Sequence, residues 1–116
     1  MLIQIMKSKI HRVKITQANV NYIGSITIDP VLMNAANIVA GEKVQVLNVS
    51  NGERLETYVI PGDSVGEIGI NGPAALKMRI NDIVIIVSYA VLNQDEAKTY
   101  TPTIIFPNET NNSLVE

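Results

Sequence analysis

Apolar and polar positions alternate in short stretches along this chain, and Asn, Gly and Pro separate the stretches. A period of two is that of a strand with one face in a core. Ile10–Gln17 alternates in part, with Val13 and Ile15 apolar and Arg12, Lys14 and Thr16 polar, which predicts a half-buried strand. Asn19–Tyr22 reads as a turn, and Ser25-Ile26-Thr27-Ile28 alternates again as a second strand. Asp29-Pro30 has the form of a helix start, Asp29 as N-cap and Pro30 at the first helical position. That helix is expected to run to about Ala36 and stop near Asn37, before Gly41.

Lys43–Val49 predicts a strand, Asn51-Gly52 is the strongest short hairpin signal, and Arg54–Ile60 is the return strand. Pro61-Gly62-Asp63 reads as a turn and Glu67–Ile70 as a short strand. Asn71-Gly72-Pro73 can open one or two helical turns over Ala74–Met78, and Asn81-Asp82 is another turn. Ile83–Val87 is apolar throughout, which predicts a central strand buried on both faces. Asp95–Lys98 reads as a helical turn and Thr103–Phe106 as a last strand. Asn108–Glu116 is polar and expected to fray.

Composition strengthens the β reading. Ile (17) and Val (13) greatly outnumber Leu (7) and Ala (8). Such side chains are stiff at χ1 and suit a pleated sheet. One Phe and no Trp leave an aliphatic core, and 12 Asn with 7 Gly supply turns. The expectation is a mainly β fold, with a compact barrel or oligomer contacts hiding the sheet edges. A length of 116 residues fits one domain, 1–116.

Charge and inventory exclude several classes. Nine basic against 11 acidic residues give a net charge of −2, which argues against nucleic acid as partner. The absence of Cys removes disulfides, thiolate zinc sites and cysteine nucleophiles, and a single histidine, His11, removes a histidine-rich metal site. The longest apolar runs reach about half of the ~20 residues of a membrane span. Met1-Leu2-Ile3-Gln4-Ile5-Met6-Lys7 is apolar first and basic second, the reverse of a secretory signal. A cytoplasmic protein with no membrane partner is expected.

Taken singly, the candidate sites do not exceed ordinary roles. Asn48, Asn108 and Asn111 open N-x-[ST] matches that chance supplies in an Asn-rich chain. Ser25 lies in Ile23-Gly24-Ser25-Ile26-Thr27, which is not a G-x-S-x-G elbow. Ser25 and His11 with Asp29 or Asp82 form the inventory of a hydrolytic triad, as many chains do. Arg54 and Tyr58, four apart on a strand, face one side. Lys9, His11 and Arg12 are polar residues at a strand start.

In combination they carry more. Lys9-Ile10-His11-Arg12-Val13-Lys14-Ile15-Thr16 and Asn21-Tyr22-Ile23-Gly24-Ser25-Ile26-Thr27-Ile28-Asp29 resemble the N-terminal region of pyruvoyl-dependent aspartate 1-decarboxylases. Asn48-Val49, Asn51-Gly52-Glu53-Arg54 and Thr57-Tyr58 resemble a second block of that family. Ile70-Asn71-Gly72-Pro73-Ala74-Ala75 and Asp82-Ile83-Val84-Ile85-Ile86 resemble a third and fourth. The blocks keep the family's order and spacing over roughly residues 7–92.

The resemblance implies a double-psi β-barrel with a few short helices, a homotetramer, and decarboxylation of L-aspartate to β-alanine for pantothenate and coenzyme A synthesis. It implies self-cleavage between Gly24 and Ser25 into a β chain, 1–24, and an α chain, 25–116, with a pyruvoyl group made from Ser25 at the new N-terminus. No metal and no pyridoxal phosphate are implied; any maturation partner is left open. Thr57 and Asn71 are implied helpers of processing. Glycine before the severed bond would tolerate backbone angles closed to other residues. In the mature enzyme the pyruvoyl carbonyl forms a Schiff base with the substrate amine and accepts electrons as CO2 leaves. Tyr58 is the implied proton donor, protonated at neutral pH because a phenol has a pKa of ~10. Lys9, His11, Arg54, Thr57, Gly72, Pro73 and Ala74 are the implied substrate-binding set, with Tyr22 at a matching position nearby. Pro73 stands where many relatives carry alanine and offers no N–H. Two other readings compete: a non-catalytic β-barrel module, and a serine hydrolase using intact Ser25.

Overall fold

The computed structural model describes residues 1–114. The β-branched runs form eight strands: β1 Leu2–Lys14, β2 Gln17–Asn19, β3 Ser25–Ile28, β4 Lys43–Asn48, β5 Arg54–Pro61, β6 Ile68–Asn71, β7 Ile83–Asn93 and β8 Thr103–Ile105. Helix α1 spans Pro30–Ala36, α2 spans Gln94–Thr99, and a 3-10 helix covers Gly72–Leu76. The strands join in one sheet of order β2-β6-β3-β5-β4-β7-β1-β8. β1/β8, β2/β6 and β3/β5 are parallel and the other pairs antiparallel. The mainly β expectation holds. Among the described residues, no helix is long and apolar enough to cross a membrane.

Ile10, Ile26, Val46, Val59, Ile70 and Ile86 come from six strands yet meet in one buried cluster, so the sheet curls around a single core. Each such side chain contributes about 1.5–3 kcal/mol through burial. The α1 boundaries follow the sequence. Asp29 Oδ1 accepts from Val31 N at 2.9 Å, and Asn37 ends the helix in the left-handed region. Asp29 Oδ2 also accepts from Gly66 N at 2.8 Å, tying the helix start to the β5–β6 connection.

Four expectations need correction. The first strand starts at Leu2, eight residues before Ile10, because β1 pairs with β7 from Leu2–Asn93 onward. The hairpin closes on Asn48–Glu53, so Asn51 and Gly52 lie in a longer loop with Gly52 at φ +78°. The apolar run in β7 is not buried throughout: Val84, Ile86 and Val87 are buried, while Ile83 and Ile85 are half-buried. The polar tail does not fray over its described part. Asn112 is 1% exposed; its Oδ1 accepts from Lys14 N, and its Nδ2 donates to Lys14 O and Gly66 O, each at 2.8 Å. One amide thereby closes three backbone groups that burial would leave unpaired. The final two residues of the predicted tail lie outside the described residues.

Candidate active site

Ser25 opens β3 and is 1% exposed. Its hydroxyl donates to Ile23 O at 3.0 Å, and its Oγ accepts from Asn71 Nδ2 at 3.0 Å. Asn71 is the antiparallel partner of Ser25 at the end of β6, so the two side chains share a sheet face. The same Nδ2 donates to Thr27 Oγ1 at 2.9 Å. Among the described residues, no histidine or carboxylate is a partner of Ser25, which removes the triad arrangement. Asp29 is engaged as a cap, and Asp82 Oδ2 accepts from Asn48 Nδ2 and Arg79 N.

The backbone beside Ser25 is held by a neighbouring glycine. Gly72 has φ +74°, and a Cβ there would fall 2.6 Å from Gly24 Cα and 2.9 Å from Gly24 N. Only glycine fits that angle and that approach. Gly24 itself has no positive φ, and a Cβ on it would meet nothing closer than Pro73 Cδ at 3.9 Å. The special backbone angle expected at Gly24 is therefore at Gly72, pressed against it. The 3-10 helix that follows keeps Gly72 buried, Pro73 exposed and Ala74 packed against the core.

β5 flanks β3 on its other side, with Ile26 level with Val59. Tyr58 directly precedes Val59 on β5, as Ser25 directly precedes Ile26 on β3, and Thr57 is the next residue back along β5. Tyr58 is 39% exposed and Thr57 half-buried. Ser25, Asn71 and Gly72 thus form one group, with Thr57 and Tyr58 on the adjacent strand. A cleft of about 380 Å³ opens beside it, lined by Gln17, Asn19, Tyr22, Thr27, Glu67 and Asn71.

The cations sit elsewhere on one chain. Arg54 and Tyr58 do face one side of β5, both exposed, four residues or ~13 Å apart. Arg54 Nη1 donates to Gln45 Oε1 at 3.2 Å, and Tyr89 OH donates to the same oxygen at 2.9 Å. These three border a second cleft of about 420 Å³ with Lys43, Glu56 and Gln4. Lys9 lies across the sheet in the row Glu56–Gln45–Val87–Lys9. Among the described residues, neither Arg54 nor Lys9 has a carboxylate within ion-pair distance.

His11 packs edge-on against Phe106, ring centroids 5.4 Å apart, with Nδ1 buried and without a hydrogen-bond partner among the described residues. Burial pushes its pKa below 6.5, and the charges of Lys9 and Arg12 push the same way; Glu109 opposes them. Next to it, Arg12 has φ 66° at the β1 bulge and pairs with Glu109. Sequence reasoning missed Thr27, Gln45 and Phe106. Thr27 had a signal, since i and i+2 share a strand face; Gln45 and Phe106 reach the site only through cross-strand and tail contacts.

A model of the family described as Aspartate decarboxylase matches residues 1–114. Several relatives carry the name Aspartate 1-decarboxylase. That from Flavobacterium psychrophilum is 57% identical over 115 residues, covering 98% of this chain and 99% of the relative. That from Cytophaga hutchinsonii is 56% identical over 116 residues, covering 99% and 100%. That from Bacteroides thetaiotaomicron is 52% identical over 117 residues, covering 100% of both.

Proposed function

This chain belongs to the aspartate decarboxylase family, and from that premise we propose how its residues perform the family's reaction, the conversion of L-aspartate to β-alanine. The observation that carries the reading is the buried Ser25 hydroxyl, bonded on both sides and joined to a Gly24 that Gly72 clamps.

The chain severs itself between Gly24 and Ser25. Ser25 Oγ attacks the Gly24 carbonyl carbon; the C–N bond breaks, the nitrogen takes a proton, and an ester remains. Asn71 Nδ2, already on Oγ, stabilises the charge that develops as the hydroxyl proton leaves. Thr57, on the adjoining strand β5, assists. Loss of the Ser25 Cα proton expels the Gly24 carboxylate and forms a Cα=Cβ bond; Cβ then takes up a proton to give an imine, and water replaces its nitrogen, released as ammonia, leaving a keto terminus on 25–116. The intact hydroxyl, the donor on it and the clamped glycine fit this origin of the group. Once formed, the pyruvoyl group supplies a carbonyl for the substrate amine and an electron sink as CO2 departs.

Arg54 and Lys9 bind the two substrate carboxylates; charge-assisted contacts of this kind contribute about 1.5–3 kcal/mol each. His11, neutral near pH 7 because its pKa is lowered, lines the pocket with Thr57, Gly72, Pro73 and Ala74. Tyr58 donates the proton to the substrate carbon after CO2 loss. A homotetramer covers the outer face of β5-β4-β7-β1. That face supports the assembly with half-buried Leu47 and Ile85, exposed Tyr58 and Tyr89, and Arg54 and Lys9, which have no carboxylate partner among the described residues. An outer face covered by a second copy accounts for the unbroken apolar run of β7. The double-psi arrangement, a cytoplasmic setting and supply of β-alanine to pantothenate synthesis complete the reading.

Intact mass spectrometry alongside a β-alanine assay tests it. Active wild-type protein is expected as two fragments meeting at Gly24–Ser25, and Ser25→Ala as one inactive chain. Tyr58→Phe is expected to sever and yet lose turnover. Fully active, unsevered wild-type protein overturns the reading.

A further inference from the structure

Asn71 engages both hydrogens of its amide nitrogen, and only one of them is on Ser25. We propose that Thr27 is the positioning residue for chain scission: its hydroxyl oxygen accepts the second Nδ2 hydrogen of Asn71 and so holds the first on Ser25 Oγ. This deepens the self-severing reading and rests on it.

The bonding directions follow from the partners. The Ser25 proton goes to Ile23 O, so Oγ presents lone pairs to Asn71 and the facing atom must be a donor. The terminal torsion of an asparagine is broad, and one acceptor leaves the amide free to turn. Two acceptors, at 3.0 and 2.9 Å, fix its plane. The strands make this geometry automatic. Ser25 and Thr27 lie two apart on β3 and share a face, and Asn71 pairs directly with Ser25. Gly69 pairs with Thr27 and leaves its side chain room; a Cβ there would fall 3.3 Å from Thr27 Cβ. All three polar residues are at least nine-tenths buried, so water competes weakly for the amide. As Oγ closes on the Gly24 carbonyl carbon, the donor stays aimed at the oxygen that loses its proton. Without the Thr27 acceptor, the amide can turn away.

The test follows scission of the full-length chain by intact mass at timed intervals after synthesis, with Ser25→Ala as the unsevered reference. Thr27→Val keeps the shape and removes the hydroxyl, and is expected to slow scission about tenfold. Thr27→Ser keeps the hydroxyl and is expected to stay within about twofold of wild type. A structural effect of lost shape predicts the reverse ranking. Thermal melting verifies folding, and if Thr27→Val does not fold, Thr27→Ala against Thr27→Ser decides in the same way. Thr27→Val severing at the wild-type rate, or Thr27→Ser severing as slowly as Thr27→Val, overturns the role of Thr27 and leaves self-severing intact. An unsevered but active wild type overturns both.

Discussion

At the β3–β6 seam, Ser25 and Asn71 are buried and find their hydrogen-bond partners inside the chain. On the β5–β4–β1 face, Arg54 has one glutamine contact, and Lys9 has no carboxylate partner among the described residues. The two regions differ in what completes them. Buried polar groups closed on one another set a single geometry, which suits a reaction of the chain with itself. Cations left unpaired on a surface suit charges brought from outside, a substrate carboxylate or a neighbouring copy.

Substitutions can break that contrast, beginning with the largest effect. Gly72→Ala puts a methyl 2.6 Å from Gly24 Cα at φ +74°. The combined strain and overpacking should cost about 2–4 kcal/mol and block scission; urea unfolding and intact mass read the two. Arg54→Ala should leave scission at the wild-type rate and raise KM for aspartate about ten- to hundredfold. Equal damage to scission, or an unchanged KM, would merge the two regions into one. Asn112→Ala touches neither region. It leaves Lys14 N, Lys14 O and Gly66 O without their partner and should destabilise by about 1–3 kcal/mol in urea unfolding, with KM unchanged.

The smallest effect is a titration. His11 is the only histidine, so one NMR resonance reports it, and its midpoint should lie below 6.5 because burial disfavours the cation. As pH falls below 6.5, the unfolded chain takes up the proton first, so this contribution to stability declines towards the lowered folded value and then levels off. Phe106→Ala should move the midpoint back towards 6.5; a midpoint already at or above 6.5 in the wild type contradicts the burial of His11.

Much of the fold is legible locally. Asp29 and Pro30 announce α1 because a cap and a fixed φ act within one turn. Ser25–Ile28 announces β3 by alternation, which reports only which face meets a core. The errors share a cause. Ile83–Val87 read as doubly buried because apolar side chains do not say which surface covers them; Ile85 is half-buried in the single chain. The tail read as frayed because its polar composition hides the buried Asn112, whose partners are 98 and 46 residues away.

The sequence by itself determined the β class, the caps of α1 and the family, since these rest on local pattern and ordered motifs. Tertiary structure alone decided that Gly72, not Gly24, carries the unusual backbone angle, that Thr27 shares the amide of Asn71, and that Arg54 and Lys9 stand apart from Ser25 on one chain. Each of these depends on strand register and on close approach between segments distant in the chain. No local propensity encodes such approaches, because the energy that fixes them arises only when the segments meet.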